Sequence, residues 1–348
     1  MTRVWDVAVS DSTLVREARQ AVGEAAAAAG LDRARAGDAA LTATELATNA
    51  VKYAGGGRIV AEVVSDSWGN ARALQILALD HGPGIGDVDR AMADGYSTGG
   101  SLGTGLGACA RACDHFEVDG VPGQGTLALA RIAAPEHRAL FAAPAVTGGM
   151  HLALGGRPEC GDGLAFRGGP GHRTVMLADG LGHGAGAAEA SDTAVRTVRH
   201  RAGESPESLL RLLHTELRPT RGAAVAVADI DESAHRLTFC GVGNVSARHY
   251  SGGRWETLLS QPGIVGAFGL RTPVPLRREW NRGDLLVLYT DGLPSRWSSE
   301  GIERLVDRDA ALIAARVFRN AGSAARPLRD DTAVAVVLHT EHSAGERE

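Results

Sequence analysis

The first third of the chain carries hydrophobic residues at helical spacing. Apolar positions from Leu14 to Val22 follow a helical period and predict a helix over 12–29, which Gly30 ends. A second helix is predicted over 32–54, because a run of glycines follows it. Shorter apolar runs then predict a helix near 104–114 and strands near 58–65, 72–80, 115–119 and 125–133.

From about residue 148 the pattern changes to short apolar runs separated by turn residues. This arrangement is typical of antiparallel sheets. Two helices are predicted among these runs, over 184–200 and 206–217. The predicted strands are 148–155, 163–167, 173–179, 222–230, 236–241, 246–250, 285–290 and 333–338.

The boundary between the two patterns is predicted where Pro135 and Pro144 interrupt regular structure. A chain of 348 residues is long enough for two domains. The predicted organisation is a domain over 1–134, a linker over 135–146, a second domain over 147–340 and a tail over 341–348.

Composition narrows the class of protein. Apolar residues make up 44% and charged residues 22%, which is ordinary for a globular protein. The net charge is −5 and neither half is basic, so we expect no nucleic acid partner. The sequence has neither a long apolar run nor an apolar signal core, so we expect no membrane partner. The cysteines lack zinc-ligand spacing and indicate buried, reduced thiols in a cytoplasmic protein: Cys109, Cys113, Cys160 and Cys240.

Three polar residues share one face of the second predicted helix. Glu45, Asn49 and Lys52 stand at positions i, i+4 and i+7. A carboxylate can take a proton from a hydroxyl, an amide oxygen suits Mg²⁺, and an ammonium suits a phosphate. Alone, the same spacing also fits a polar stripe on a solvated helix.

A glycine-containing turn follows the strand predicted over 72–80. Asp80 ends this strand, where its carboxylate can accept a hydrogen bond from an adenine amino group. Gly82 and Gly84 would let the backbone approach the ring. Thr126, at the start of a later strand, could face the same end of a nucleotide. By itself the motif also fits an ordinary Gly-Pro turn.

A second glycine-rich segment covers 95–107 and leads into a predicted helix. Gly103 and Gly105 free the backbone amides, and the helix N-terminus favours anions. The segment lacks the Gly-Lys-Ser/Thr of a P-loop and does not open a dinucleotide-binding unit. A flexible loop is the plainer interpretation of this segment alone.

In order and spacing, these phrases resemble the GHKL ATP-binding fold. Glu-Leu-Ala-x-Asn, Asp-x-Gly-Pro-Gly-Ile and Asp-Gly-Tyr-Ser-Thr-x-x-x-Leu-Gly-x-Gly-Leu are most similar to the RsbT-type switch serine kinases. The resemblance covers about 1–133. It implies that Glu45 activates the attacking hydroxyl, that Asn49 holds Mg²⁺ and that Asp80 reads adenine. It further implies a phosphate contact from Lys52 and a phosphate lid that contains Gly103 and Gly105.

Four aspartates of the second half stand at the ends of predicted strands. They are Asp162, Asp179, Asp291 and Asp330. Converging carboxylates repel one another unless cations intervene, and oxygen ligands suit Mg²⁺ or Mn²⁺. Two such ions would lower the pKa of a bridging water and clamp a phosphoryl group. Each Asp-Gly pair alone also fits a hairpin turn.

The surrounding phrases are similar to the SpoIIE/RsbX group of PPM-type serine/threonine phosphatases. They include Leu-Ala-Asp-Gly-Leu-Gly-His-Gly (177–184) and Gly-Asp-Leu-Leu-Val-Leu-Tyr-Thr-Asp-Gly-Leu (283–293). The resemblance covers about 147–339. It implies that Asp179 is catalytic and bridges two Mn²⁺ or Mg²⁺, and that Gly180 offers its carbonyl. The same resemblance completes the metal site with Asp162, Asp291 and Asp330.

The sequence departs from this group at two points. Asp-Asp-Thr-Ala stands at 330–333, where the group usually has Asp-Asp-Met-Thr. Gly161 stands where larger PPM phosphatases have a carboxylate, which implies weaker binding of the second metal. His183 fits two roles equally well: a hydrogen-bond donor to a phosphate, or an ordinary loop residue. Asn244, in a glycine-rich segment, is expected to form a turn.

Together, the resemblances imply an α+β chain: a GHKL (Bergerat) α/β sandwich, then a four-layer α-β-β-α sandwich. We expect a bifunctional cytoplasmic regulator that uses ATP, Mg²⁺ and Mn²⁺. Its kinase and phosphatase would act on a STAS-domain or other regulatory protein in a sigma-factor stress pathway. One alternative is a phosphatase whose first domain only binds ATP and a partner. A gyrase- or MutL-type ATP hydrolase and a DNA-binding regulator fit the sequence less well.

Overall fold

A computed structural model describes residues 3–66, 69–93, 105–157, 159–169, 171–201, 203–267, 269, 271–294, 297–322 and 330–339. Its helices are α1 (Ser12–Ala28), α2 (Arg33–Ala54), α3 (Val88–Met92), α4 (Gly105–Ala112), α5 (Arg138–Phe141), α6 (Ala185–Arg199), α7 (Pro206–Glu216) and α8 (Ala310–Ala321). Its strands are β1 (Val4–Val9), β2 (Gly57–Ser65), β3 (Arg72–Leu79), β4 (His115–Gly120), β5 (Thr126–Ala133), β6 (Thr147–Leu152), β7 (Asp162–Gly169), β8 (His172–Gly180), β9 (Ala223–Asp231), β10 (Arg236–Val242), β11 (Ser246–Ser251), β12 (Arg254–Leu258), β13 (Leu276–Glu279), β14 (Leu285–Tyr289) and β15 (Thr332–Leu338).

The first five strands form one antiparallel sheet in the order β1-β2-β3-β5-β4. α1 and α2 pack on one face of it, and Val22, Ala43 and Ile76 contribute to the shared core. Aspartates cap both helices, because the Asp11 and Asp32 side chains accept hydrogen bonds from first-turn backbone amides. This sheet covered by helices is the α/β sandwich that the first resemblance implies.

The other ten strands form two five-stranded antiparallel sheets. Their orders are β13-β10-β9-β8-β7 and β12-β11-β14-β15-β6. The sheets pack face to face over an apolar core that includes Leu177, Phe239 and Leu286. α6 and α7 cover the outer face of the first sheet, and α8 covers the outer face of the second. The four-layer α-β-β-α sandwich expected for this half is confirmed.

Helix α8 also covers the N-terminal sheet, on the face opposite α1 and α2. Leu77 and Leu129 of that sheet share one core with Leu312 and Ile313 of α8. Every residue from Ala310 to Ala315 is fully buried. Arg316 and Arg319 of the same helix are buried as well, so α8 is covered on every side. α8 therefore lies between the N-terminal sheet and the second sheet of the other half.

Buried ion pairs hold the two halves together around α8. Arg131 donates two hydrogen bonds to Asp309, at 2.5 and 2.7 Å. Asp309 also caps α8, since its side chain accepts the backbone amide of Ala311 at 2.9 Å. Arg316 donates to Asp119 at 2.7 Å. These pairs are buried, so the charges depend on one another for solvation.

A buried carboxyl of β2 lies beside this network. Glu62 accepts a hydrogen bond from Gln75 at 2.9 Å, and its Oε2 lies 3.8 Å from Nδ1 of His151 in β6. Burial raises the pKa of Glu62 to about 7, although the Gln75 bond and the Arg131 charge oppose the shift. Burial therefore favours the neutral form of this acid.

The predicted helices and strands agree with the structure to within a few residues, but five elements were missed. They are α3, α5, α8, β12 and β13. The expectation that the prolines abolish regular structure near 135–146 was wrong, because a 3₁₀ turn over Pro135–His137 leads directly into α5. Proline is tolerated at the first position of a helical turn. All four cysteines are free thiols, as expected, and Cys160 is only partly buried.

Candidate functional site

A pocket of about 470 Å³ opens between α2, the end of β3 and the start of α4. Its walls are largely apolar, with side chains such as Leu46, Ile85 and Leu106. Six of the residues predicted to bind a nucleotide line it: Glu45, Asn49, Asp80, Gly84, Gly105 and Thr126. The structure thus gathers side chains that are up to 81 positions apart in the sequence.

The first residue of α4 lies against the polar face of α2. A Cβ placed on Gly105 would stand 2.7 Å from Oε2 of Glu45 and 3.8 Å from Nδ2 of Asn49. A side chain at this position would fill the gap between the two helices, so glycine keeps it open. The N-terminus of α4 therefore faces the Glu45 carboxylate and the Asn49 amide. Free amides at a helix start attract anions such as phosphates.

The Asp80 carboxylate is fixed by backbone amides at the end of β3. Its Oδ1 accepts hydrogen bonds from Gly82 at 2.8 Å and from Thr126 at 3.0 Å. No further partner of this carboxylate is present in the described part of the chain. Oδ2 is therefore left as an acceptor for a ligand, which is what recognition of an amino group requires.

Three predicted nucleotide-site residues do not line this pocket. Lys52 is exposed, with its Nζ 4.9 Å from the centre of the Tyr53 ring. Gly82 acts one step away, through its hydrogen bond to Asp80. Gly103, like most of the predicted lid, lies outside the described residues.

The four predicted carboxylates occupy strand ends in the second half. Asp162 begins β7 and stands directly opposite Asp179 of β8. Asp291 follows β14, and Asp330 precedes β15. β7 and β8 belong to one sheet and β14 and β15 to the other. The site therefore lies at a common edge of the two stacked sheets.

These aspartates repel one another. Burial raises the pKa of Asp179 to about 7, and the charges of Asp291 and Asp330 act in the same direction. Burial and the Asp179 charge raise the pKa of Asp162 well above its usual range. Burial also raises the pKa of Asp291. Within the described residues, no arginine, lysine or histidine is paired with any of the four.

Three polar residues that the sequence analysis did not assign to the site support it. Asn244 donates a hydrogen bond to Asp291, so it does more than form the predicted turn. Thr290 donates to Asp162 at 2.7 Å. The Asp331 carboxylate accepts hydrogen bonds from the backbone amides of Leu154 and Gly161, at 2.7 and 2.6 Å. Thr290 and Asp331 adjoin predicted ligands, so the phrases Thr-Asp-Gly and Asp-Asp-Thr could have indicated them.

Gly180 lies where β8 meets α6. A Cβ there would stand 2.1 Å from the carbonyl oxygen of Ala187, so no side chain fits. Its amide donates to the carbonyl of Gly161 at 2.9 Å. His183 lies in the exposed turn that follows, consistent with either of its two predicted roles.

The donor set of this cluster fits divalent cations. Unpaired carboxylates in a half-buried site are hard oxygen ligands, the kind that Mg²⁺ and Mn²⁺ prefer. Within the described residues, however, no three acidic, histidine or cysteine side chains already stand together as a metal site.

Comparison with known families assigns each half to a class. Residues 8–131 match the family described as "Histidine kinase-like ATPase domain". Residues 169–340 match the family "Stage II sporulation protein E (SpoIIE)". The chain thus joins a histidine kinase-like ATPase domain to a SpoIIE-type PPM phosphatase domain, and both resemblances found in the sequence are confirmed at this level.

Two curated relatives come from Bacillus subtilis (strain 168). Serine/threonine-protein kinase RsbT is 46% identical over 83 residues, which are 24% of this chain and 61% of RsbT. Phosphoserine phosphatase RsbX is 27% identical over 142 residues, which are 40% of this chain and 69% of RsbX. A solved structure reported under "The bacterial stressosome: a modular system that has been adapted to control secondary messenger signaling" is 26% identical. It aligns with a TM-score of 0.50 over 55% of this chain and 97% of that chain.

Among the described residues, no helix is both long enough and apolar enough to cross a bilayer.

Proposed function

We propose that this chain is a bifunctional cytoplasmic regulator of protein phosphorylation. Its first domain would be an ATP-dependent protein serine/threonine kinase. Its second would be a metal-dependent phosphoserine/phosphothreonine phosphatase. Both would act on a STAS-type antagonist in a sigma-factor partner-switching or stress pathway. The observation that carries the proposal is the pairing of Glu45 and Asn49 opposite the start of α4, in the same chain as four converging carboxylates.

In the kinase half, the residues of the pocket suit phosphoryl transfer. Glu45 orients or deprotonates the substrate hydroxyl, and Asp80 accepts a hydrogen bond from the adenine amino group. Asn49 would hold Mg²⁺, which neutralises phosphate charge when bound. The amides at the start of α4, with Gly105 first, stabilise the negative charge of the transferred group.

In the phosphatase half, Asp162, Asp179, Asp291 and Asp330 would hold Mn²⁺ or Mg²⁺, together with the Gly180 carbonyl. Two such ions supply an acidified water and a clamp for the phosphoryl group. Asn244 and Thr290 hold Asp291 and Asp162 in place through the hydrogen bonds described above. These two residues fix the orientation of the carboxylates before the ions bind.

The direct test uses the purified full chain, a candidate STAS protein and γ-labelled ATP. We expect label on a serine or threonine of the STAS protein, and its release when MnCl₂ is added. Glu45→Ala should abolish transfer but still release label from STAS protein that the parent chain has labelled, whereas Asp179→Ala should transfer label and fail to release it. Glu17→Gln, an exposed change on α1, is the matched control.

The same experiment separates the principal alternative. If the first domain only binds ATP and a partner, no label is transferred, and Glu45→Ala leaves control of the partner unchanged. Absence of both transfer and release with every candidate STAS protein would refute the substrate class. Absence of metal-dependent release from any phosphoserine peptide would refute the phosphatase itself.

A further inference from the structure

A second cavity, of about 750 Å³, lies between the two halves of the molecule. The N-terminal side contributes the end of α2 and the start of β2, including Ala54 and Arg58. The other side contributes the turn after β6 and the end of α8, including Leu154 and Arg319. This volume is in the range of pockets that bind small molecules.

The cavity adjoins both sites already described. Ala54 and Leu79 line it and the nucleotide pocket alike. Asp330, one of the four carboxylates of the second half, also lines it.

Arg319 is the unusual member of the lining. Its side chain is buried, with 3% of the residue exposed, yet Nη1 and Nη2 have no hydrogen-bond partner among the described residues. Burial and the nearby Arg316 charge lower the pKa of Arg319 to about 10. The charges of Asp119 and Asp80 act on it only from a distance, without a hydrogen bond.

A buried guanidinium without partners is costly, and proteins normally pair such a group. The other arginine of the described lining, Arg58, is already bonded to Asp6. Nη1 and Nη2 are both buried from water and without partners among the described residues, and Arg can bind a phosphate through two hydrogen bonds once its side chain turns toward the cavity. The apolar lining residues Leu79, Leu152 and Phe318 suit an organic body next to that phosphate.

We propose that this interdomain cavity binds a small organic phosphate, whose phosphoryl group is held by Arg319. The ligand would pack its apolar part against Leu152 and Phe318. The proposal does not depend on the kinase or phosphatase activity, because it concerns binding at a separate cavity.

The test is calorimetric titration of the full chain with phenylphosphonate, a non-hydrolysable phosphate analogue with an apolar ring. Saturating ADP fills the nucleotide pocket and EDTA keeps the carboxylates free of metal. We expect one binding site, and weaker binding of inorganic phosphate because it lacks the apolar part. Equal affinity for phenylphosphonate and inorganic phosphate would overturn the proposal that the apolar lining binds an organic part of the ligand.

Arg319→Met should weaken phenylphosphonate binding at least about tenfold, the usual effect of losing hydrogen bonds to a charged group. Arg319→Lys should weaken phenylphosphonate binding less, since a single ammonium keeps the positive charge but replaces the two guanidinium donors. Arg254→Gln, an exposed change on β12, should leave it unchanged. Unchanged affinity in Arg319→Met would overturn the proposal.

A second variant tests the cavity without touching the arginine. Ala8 is exposed on β1 and lines the cavity, so Ala8→Trp would obstruct it. This change should abolish phenylphosphonate binding and leave ADP affinity within about twofold of the parent chain. Full phenylphosphonate binding in Ala8→Trp would place the ligand elsewhere and refute the site.

Discussion

The two candidate sites differ in how their charged groups are satisfied. In the nucleotide pocket, one oxygen of Asp80 already accepts two backbone amides, and glycine holds the space that a ligand needs. In the carboxylate cluster, Asp162 and Asp179 face each other and both have raised pKa values. Backbone amides thus fix the carboxylate of the pocket, whereas the carboxylates of the cluster repel one another, and a cation would relieve that repulsion. The two sites therefore solve the problem of a buried carboxylate in different ways.

Replacing the central carboxylate is the strongest way to break this contrast. Asp179→Asn should lower phosphatase turnover by about 10³–10⁴-fold, or roughly 4–5.5 kcal/mol, because a proposed metal ligand is lost. In EDTA the same variant should unfold at a higher temperature than the parent, since one repelling charge has gone. Phosphopeptide hydrolysis and thermal unfolding measure the two effects. Glu189→Gln, exposed on α6, is the control, and a lower unfolding temperature for Asp179→Asn in EDTA would contradict the stored repulsion.

Both sites also depend on the buried ion pairs around α8 that hold the two halves of the molecule together. Asp309→Ala should lower the free energy of unfolding by about 3–5 kcal/mol, because Arg131 would remain buried without its carboxylate partner and, among the described residues, keep only its hydrogen bond to Gln75. Urea unfolding measures this loss. Asp307→Ala, an exposed change two residues earlier, should cost no more than about 0.5 kcal/mol. Similar losses in the two variants would show that the ion pair does not stabilise the interface.

Glu62, which lies beside these ion pairs, makes the stability of the folded chain pH-dependent. Its pKa is about 7 in the folded chain against 4.5 as its ordinary value. The folded state therefore holds the proton more tightly, so this stabilisation is full below pH 4.5 and is lost as pH rises through 7. The loss amounts to about 3 kcal/mol. Glu62→Gln should flatten the fall in unfolding free energy between pH 5 and 8, whereas exposed Glu136→Gln should not. An unchanged slope in Glu62→Gln would assign the pH dependence to other groups.

The smallest expected effect concerns the nucleotide pocket and is a loss of ATP affinity when Asp80 is replaced. In Asp80→Asn the amide oxygen can still accept from Gly82 and Thr126, so the fold should survive. The second acceptor becomes a donor, and ATP affinity should fall about tenfold, or about 1.4 kcal/mol. Nucleotide titration measures this, with exposed Asp89→Asn as control. Unchanged ATP affinity would remove Asp80 from adenine recognition.

Much of the fold follows from local pattern, since the helices at 12–28 and 33–54 carry their own caps and periodicity. α8 was missed although its sequence carries local signals. Asp309 caps it, and Arg316, Arg319 and Asn320 form a polar stripe after the buried run from Ala310 to Ala315. The strands β12 and β13 are short and largely exposed, so their apolar pattern is weak.

The candidate sites were predictable where residue type and spacing encode the chemistry. Glu45 and Asn49 share a helix face, and Asp179 ends an apolar strand, so both could be read from sequence. The bond from Asn244 to Asp291 joins residues 47 positions apart and depends on how the strands pair. The cavity beside Arg319 depends on how two domains pack. Neither has a local signature in the chain.

The placement of α8 limits how this chain can be divided. If it is cut within 135–146, the first fragment exposes the apolar face of its sheet, including Leu77 and Leu129. The second fragment exposes the side of α8 that covered this face. Uncovered apolar surfaces of this kind drive aggregation. Separate expression of either half should therefore yield insoluble protein, whereas co-expression of the two fragments should let them reassociate and remain in solution.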